Sequence, residues 1–278
     1  SKEFFDKYKT QFEKFWGYIN TNDEYRKLFL DNDKEKQIRD FTKKLLGRIV
    51  FLHFLQKKGW MGCDTQVAGW ENGEKQFMQK LFTDFVEKEV FHSKCLHQLF
   101  FNTLNNNKRE NFIFQCDGVS AELNGTKIPY LNGGLFDADK EISAQIDFPQ
   151  AYFTELFDLF SQYNFTIDEN DPNDHEVGID PEMLGHIFEN LLEDNKDKGA
   201  FYTPKIIVQY MCQESLIEYL ATKLNAEPDT VLKSAIEDLV RNRLAQGIND
   251  LDMVDAIAQA LHVVKICDPA IGSGAFPM

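Results

Sequence analysis

The sequence predicts a mainly α-helical protein whose last residues begin an α/β unit. Three observations predict this fold class. Apolar side chains recur at helical spacing through most of the chain. Two of the later predicted helices begin with an Asp-Pro or Thr-Pro pair. Such a pair combines an N-capping residue with proline in the first turn. Near the carboxyl end, a β-branched apolar run is followed at once by a Gly-x-Gly turn.

The first hundred residues are predicted to be helical, most clearly over 34–58, where Gly59 is the expected stop. The apolar side chains of that helix are spaced by three or four residues: Ile38, Phe41, Leu45, Ile49, Leu52 and Leu55. His53 lies within this apolar run and is predicted to be a core histidine. Further helices are expected over 74–90, 94–104 and 149–163, with a loop at 105–109 and glycine-marked turns between 112 and 137.

Residues 168–176 are acidic and lack an apolar period, so we interpret them as a loop and place the domain boundary there. This gives a helical N-terminal domain over 1–175 and a second domain over 176–278. A calcium loop is the alternative for this stretch. It requires glycine at its sixth position and an acid at its twelfth, whereas the sequence has Asn173 and Ile179.

Four helices are predicted after this loop, over 180–192, 203–220, 230–244 and 251–261. Residues 263–267 then predict a buried strand, and Asp268-Pro-Ala-Ile-Gly-Ser-Gly274 follows directly. A strand that runs into a glycine turn and a helix is the front of a Rossmann-like unit.

The glycine turn favours one kind of ligand over others. A dinucleotide site requires a third glycine where Pro277 stands, and a phosphate-binding loop requires a Gly-Lys pair that is absent. Asp268 at the strand end suits an ammonium, and the loop amides suit a carboxylate. The methionine end of S-adenosylmethionine carries both groups on one carbon. A tight turn without any ligand is the plainer alternative.

Two stretches resemble motifs of the adenine-specific DNA methyltransferases. Residues 268–276, Asp-Pro-Ala-Ile-Gly-Ser-Gly-Ala-Phe, resemble motif I, and residues 199–204, Gly-Ala-Phe-Tyr-Thr-Pro, resemble motif X, which comes first in the gamma-type order. Residues 51–59, 130–136 and 179–191 are similar to the combined restriction–modification (type IIG) branch of that family. Ile271 departs from the small residue or Cys that the family often has, at a variable position.

The resemblance implies a Rossmann-like, S-adenosylmethionine-dependent methyltransferase domain that methylates the exocyclic amine of a flipped adenine in double-stranded DNA. The implied cofactor-binding residues are Phe201, Tyr202 and Thr203 of motif X, and Asp268, Ala270, Gly272, Ser273 and Gly274 of motif I. Tyr202 is also explained as a core aromatic residue, and Thr203 as a helix N-cap. The family's catalytic Asn-Pro-Pro-aromatic motif is missing because the sequence has no Pro-Pro pair, so we assign no catalytic residue and expect a fragment without turnover.

The net charge and the cysteine pattern limit which other functions the chain can have. The net charge of −15 disfavours strong DNA binding by this chain alone, although residues 1–100 carry 18 basic and 15 acidic side chains. The five scattered cysteines predict neither a zinc site nor a disulfide framework, and favour a reducing cytoplasm. No apolar run is long enough to span a membrane. The pattern leaves the oligomeric state open.

Two further motifs are weak. His186 and Glu189 have a metal-site spacing, but an ordinary helix-surface pair is the better interpretation. Asp194-Asn-Lys196 has the spacing of a nuclease motif without a partner acid, so no nuclease is assigned.

Two other functions stay open. One is a helical interaction module that links nuclease and methyltransferase parts and binds no cofactor. The other is a small-molecule or RNA methyltransferase that shares motif I.

Overall fold

The computed structural model describes residues 2–131, 134–136, 139–165, 178–179, 205–248 and 250–267. The chain forms two compact units, Ser1–Glu193 and Asp194–Met278. The predicted division at about residue 175 falls outside the described residues and stays a prediction. The mainly helical character is confirmed: the α-helices are α1 (Lys2–Thr21), α2 (Asp23–Arg26), α3 (Lys34–Lys57), α4 (Phe77–Asp84), α5 (Lys140–Ser143), α6 (Gln150–Ser161), α7 (Lys205–Lys223), α8 (Val231–Asn242) and α9 (Leu251–Val263).

Shorter elements complete the described chain. Helical turns of the 3₁₀ type cover Lys88–Val90, Glu110–Phe112 and Gly134–Phe136, and π-helical segments cover Phe91–Leu96 and Gln98–Leu104. The strands β1 (Asn164–Phe165) and β2 (Gly178–Ile179) pair in parallel, with Phe165 opposite Ile179. Among the described residues, no helix is long and apolar enough to cross a membrane.

Helix α3 is the centre of the first unit. It begins at Lys34 as predicted, and all six apolar side chains of the predicted stripe are buried. The helix ends one residue before the predicted Lys58, and Gly59 follows with a φ of +73°. A side chain at this glycine would meet the carbonyl oxygen of Glu71 at 2.6 Å, so both the backbone conformation and the close approach require glycine.

Aromatic rings on α1 and α6 fill the space around α3. Helix α1 presents one buried stripe at helical spacing: Phe4, Tyr8, Phe12, Phe15 and Ile19. Phe153 of α6 is the meeting point of the rings, since its own ring lies 5.1 to 6.3 Å from those of Phe15, Phe82, Phe91, Phe148 and Phe157. Several of these pairs meet edge to face, the arrangement that aromatic quadrupoles favour.

The predicted helix over 74–90 is wrong in length, because α4 ends at Asp84. Phe85 is extended, and the backbone amide of Val86 donates to the carbonyl of Gly118 instead of continuing the helix. The Lys88 ammonium donates to the carbonyls of Phe82 and Thr83, which a helix end leaves without partners. Tertiary bonds to a distant turn therefore override the helical pattern of this stretch.

The second unit contains three helices in its described part. Ile217, Leu220 and Ala221 of α7, Ile236 of α8 and Ala260 of α9 form its small core. The three helices confirm the predictions over 203–220, 230–244 and 251–261 to within a few residues at each end. The Thr230 hydroxyl caps α8 by accepting from the amide of Lys233 at 3.2 Å.

The predicted buried strand over 263–267 is wrong for the described residues. Val263 is the last residue of α9, residues 264–267 form no strand, and Ile266 is 85% exposed. A strand exists only where another strand pairs with it. The described part of this unit supplies no such strand, which is the physical reason for the difference. The start of a Rossmann-like sheet after residue 267 lies outside the described residues.

Replacing Phe153 with Ala is expected to lower the free energy of unfolding by about 3–5 kcal/mol, because the change removes a ring that five other rings contact. Leu30, which is 74% exposed, is the control, and Leu30→Ala should change the same quantity by less than about 0.5 kcal/mol. Urea unfolding followed by circular dichroism measures both. Equal losses for the two variants would contradict the central role of Phe153.

Candidate functional site

The eight predicted cofactor-binding residues lie outside the described part of the chain. They are Phe201, Tyr202, Thr203, Asp268, Ala270, Gly272, Ser273 and Gly274. The metal-spaced pair His186 and Glu189, the Asp194–Lys196 stretch and the acidic loop over 168–176 also lie outside it. The structure does describe the elements that adjoin both methyltransferase-like stretches. Helix α7 begins directly after Pro204, and α9 with residues 264–267 leads directly to Asp268.

A hydrogen bond joins these two elements. The Tyr219 hydroxyl, in the last turns of α7, donates to the carbonyl of Ala260 at 3.0 Å. This carbonyl belongs to the last turn of α9, where helix geometry leaves backbone oxygens without intrahelical partners. The carboxyl-terminal parts of α7 and α9 therefore lie side by side.

One face of α7 is only half covered. Ile206, Tyr210, Gln213, Ile217 and Leu220 follow one another at spacings of four and three residues, so they share a face of the helix. Ile217 and Leu220 are buried, whereas Ile206 is 73% exposed and Tyr210 is 59% exposed. The apolar face thus continues past the part that α8 and α9 cover, toward the amino-terminal end of α7.

In the first unit, the described parts of the three stretches that resemble the restriction–modification branch lie at helix α3 or one strand away from it. Residues 51–57 of the first stretch belong to α3 itself, and the ring of Phe51 lies 6.4 Å from that of Phe136 in the second stretch. Ile179 begins the third stretch and pairs with Phe165. The Phe165 ring lies 5.3 Å from that of Phe54, also on α3. The described parts of the first two stretches are therefore neighbours at one helix, and Ile179 of the third lies next to Phe165, which packs on that helix.

Arg48 of α3 connects the helix to the second stretch, and the sequence patterns did not single it out. Its side chain is buried, and its Nε donates to the carbonyl of Leu135 at 2.6 Å. Asp139 lies 4.0 Å from Nη2 and also accepts from the Lys44 ammonium at 3.0 Å. Three phenylalanine rings surround the guanidinium, those of Phe100, Phe101 and Phe136.

Burial lowers the pKa of Arg48 to about 10, and the nearby Asp139 carboxylate opposes that shift. The group therefore stays protonated at neutral pH, so it cannot serve as a base there. Its geometry instead fixes the backbone around Leu135 and Phe136 against α3. The only indication of this role in the sequence was a charged residue, Arg48, within an apolar helical pattern.

His53 confirms the prediction of a core histidine. It is buried, its Nδ1 lies 2.8 Å from the carbonyl oxygen of Ile49, and its ring packs against those of Phe160 and Phe165. Burial lowers its pKa to about 4, although the backbone hydrogen bond opposes that effect. A neutral imidazole held in this way contributes to packing.

His92 forms a second buried contact, with Ser143. Its Nδ1 lies 2.6 Å from the carbonyl oxygen of Ile146, and its Nε2 lies 3.1 Å from the Ser143 hydroxyl. Since the carbonyl can only accept, Nδ1 carries the proton and Nε2 accepts from the hydroxyl. Burial lowers the pKa of His92 to about 4. Both side chains are buried, so this serine–histidine pair is inaccessible to a substrate and ties the backbone near residue 146 to the π-helical segment.

Metal binding finds no support in the described residues, which contain no group of three or more His, Cys, Asp and Glu side chains arranged for it.

The chain is similar to a protein of Methanocaldococcus jannaschii named "Putative type II restriction enzyme and methyltransferase". The two are 24% identical over 261 residues, which cover 88% of this chain and 20% of that protein. The chain therefore spans about a fifth of the length of this curated relative. No protein-family model and no solved structure matches the chain.

Replacing Arg48 with Lys is expected to lower the free energy of unfolding by about 2 kcal/mol, because an ammonium cannot reproduce the planar contacts with the three rings and the Leu135 carbonyl. Lys44→Gln is the matched control. It removes only a half-exposed ion pair with Asp139 and should cost less than about 1 kcal/mol. Urea unfolding measures the free energy of unfolding of both variants. A larger decrease for Lys44→Gln than for Arg48→Lys would refute the role of Arg48.

Acidification should destabilise the fold through His53 and His92. Their folded pKa values of about 4 lie below the ordinary value of 6.5, so only the unfolded chain takes up protons between these two values. Stability is complete above about pH 6.5 and is lost as the pH falls toward 4. Lowering the pH from 7.5 to 5 should cost about 2 kcal/mol for each histidine.

Urea unfolding of the natural protein and of His53→Leu at both pH values measures this loss. The variant should lose less stability on acidification than the natural protein. Identical losses would show that His53 does not contribute to the pH dependence.

Proposed function

We propose that this chain is part of an adenine-specific, S-adenosylmethionine-dependent DNA methyltransferase of a restriction–modification system. Three observations support the proposal: the resemblance of residues 268–276 and 199–204 to motifs I and X, the contact at α3 between the described parts of two stretches similar to the restriction–modification branch, and the similarity to the Methanocaldococcus jannaschii protein. In this proposal the protein acts in the cytoplasm.

The contact between Tyr219 and Ala260 is the observation that carries the cofactor pocket. The part of α7 from Lys205 to Tyr219 is about 21 Å long at ~1.5 Å per residue. An extended chain advances about 3.3 Å per residue, so residues 264–268 could cover about 16 Å. The proposed pocket requires this segment to run back along α7 from the end of α9, and a return of that length would bring Asp268 to within about one helical turn of the level of Lys205 and hence close to Thr203.

The uncovered face of α7 supports the same arrangement. Ile206 and Tyr210 occupy the length of helix along which the returning segment would run. Residues 264–267 are exposed or half-buried, and Ile266 is almost fully exposed. A further element packed on this segment would bury both surfaces, which are the kind of exposed apolar surface that marks an interaction site.

The residues of the proposed pocket suit the methionine end of the cofactor. The Asp268 carboxylate can hold the ammonium, and the amides of Gly272, Ser273 and Gly274 can hold the carboxylate without side-chain obstruction. Phe201, Tyr202 and Thr203 would line the other side. Bound S-adenosylmethionine supplies an electrophilic methyl group on a sulfonium, and the residues of this chain orient it and exclude water from it.

Helix α3 and its surroundings favour a supporting role for the first unit. The buried polar side chains of Arg48, His53 and His92 are engaged with backbone carbonyls. We therefore propose that this unit is the scaffold of the methyltransferase and holds its neighbouring segments in place. A helical module that links nuclease and methyltransferase parts and binds no cofactor is the second candidate function.

Double-stranded DNA is the proposed substrate of the whole protein, with weak contacts at most from this chain. Lysines of the first hundred residues are paired with acids in several places, for example Lys14 with Glu155 and Lys94 with Glu87. Such pairs reduce the field that attracts phosphates.

Isothermal titration calorimetry with S-adenosylmethionine and with its demethylated product tests the pocket. The full-length natural protein is expected to bind both compounds with a micromolar Kd. Asp268→Ala should raise this Kd at least tenfold, because the ammonium of the ligand loses its counter-charge. Asp255→Ala, which removes an exposed acid from α9, should leave binding unchanged. Absence of binding in the natural protein would favour the scaffold without a cofactor.

The reaction is tested separately by transfer of a radiolabelled methyl group from the cofactor to duplex DNA, followed by nucleoside analysis. N6-methyladenine is the expected product. Methylated RNA or a methylated small molecule in place of DNA would reject the proposed substrate while leaving the pocket intact.

A further inference from the structure

Helix α9 has more apolar surface than the second unit covers. Nine of its thirteen residues are apolar, and the other four are Asp252, Asp255, Gln259 and His262. Ile257 and Ala260 are buried and account for one side of the helix. A helix that is apolar over most of its circumference needs cover on more than one side. The apolar residues beyond the buried side therefore call for an explanation.

Four of these residues form a continuous exposed row along α9, which we call the α9 row: Leu251, Val254, Ala258 and Leu261. They follow one another at spacings of three, four and three residues, so they share one face of the helix. Their three large side chains are between 41% and 81% exposed. Single exposed apolar side chains are ordinary on protein surfaces, whereas a continuous row is typical of a contact surface.

The polar residues of α9 disfavour nucleic acid and membrane as the cover of this row. Asp252 and Asp255 are exposed, and carboxylates repel the phosphates of DNA or RNA. Helices that lie on a membrane surface carry Lys and Arg on their polar face, whereas none of the four polar residues of α9 is Lys or Arg. The apolar surface of another protein chain is the cover that fits the row.

The α9 row is complementary to itself. Its spacing of three, four and three residues reads the same in both directions, so two antiparallel copies of α9 would place Val254 of one opposite Ala258 of the other. The exposed acids lie toward the amino end of the helix, and the exposed Lys265 follows its carboxyl end. An antiparallel pair therefore brings opposite charges together, whereas a parallel pair would bring like charges together. Antiparallel helix dipoles add to this preference.

We propose that two copies of this chain form a symmetric dimer in which their α9 rows pack against each other in antiparallel orientation. The same surface is used by both copies, as in most homodimers. The row is about 15 Å long at ~1.5 Å per residue, so the interface is small and the dimer is weak, with a micromolar Kd. The interface uses none of the residues assigned to the cofactor pocket, so it is independent of the proposed methyltransferase function.

Sedimentation equilibrium of the natural chain tests the dimer. The mean mass is expected to rise from that of one chain at low micromolar concentration toward that of two chains at high micromolar concentration. Val254→Glu should raise the Kd of the dimer roughly tenfold or more, because the interface would then bury a carboxylate without a partner. A natural chain that stays monomeric over this range would overturn the proposal and leave the row to a different partner.

Gln259→Glu is the matched control, because it adds the same charge to the exposed polar side of the same helix. It should change the Kd by less than about twofold. Thermal unfolding followed by circular dichroism checks that both variants are folded, and Ala258→Glu provides a second change within the row if Val254→Glu fails to fold. Equal weakening by the row variant and by Gln259→Glu would show that the row is not the interface.

Disulfide trapping tests the orientation of the two helices. The background is Cys212→Ser/Cys267→Ser, since both of these cysteines are exposed and could join two molecules. Leu251→Cys and Leu261→Cys are prepared separately in this background. Under mild oxidation, a mixture of the two should give dimers that join one variant to the other, whereas each variant alone should give few. Efficient linkage of Leu251→Cys to itself would indicate parallel helices and overturn the proposed arrangement.

Discussion

Helix α3 is buried along most of its length and still carries polar side chains, so each of their hydrogen-bonding groups needs a partner inside the protein. Arg48 finds the carbonyl of Leu135, and Gln56 accepts from the amide of Met78 at 2.8 Å. Thr42 and His53 bond to carbonyls of their own helix, those of Ile38 and Ile49. The first two contacts are made only when the segments around Met78 and Leu135 are in place. They therefore select one arrangement of these segments, which apolar packing alone specifies less sharply.

Helix bounds were predicted most accurately where the local sequence pattern and the tertiary contacts favour the same structure. Helix α3 has a long apolar period and a glycine stop, and its observed start matches the predicted one. The helix predicted over 74–90 failed because Val86 bonds to Gly118, a partner that periodicity cannot show. The role of Arg48 was hidden for the same reason, since Leu135 lies far along the chain.

The candidate site shows a different limit of sequence reasoning. Its residues were assigned from resemblance to motifs I and X, and the described structure reaches Lys205 on one side and Cys267 on the other. What the structure adds is the contact that holds the ends of α7 and α9 together. The strand predicted over 263–267 shows why local pattern is insufficient here. A β-branched run forms a strand only when a neighbouring strand supplies the hydrogen bonds, and that condition is not local.

The two units differ in how completely they bury their apolar surfaces. In the first unit, the aromatic stripe of α1 and the rings around Phe153 are enclosed. In the second, the face of α7 is enclosed at Ile217 and open at Ile206, although the same residue spacing continues through both. An apolar face that continues beyond its cover favours contact with a further element, because water is a poor partner for it. This asymmetry favours contact with a further element for the second unit, in keeping with the proposal that this unit contributes to a cofactor pocket.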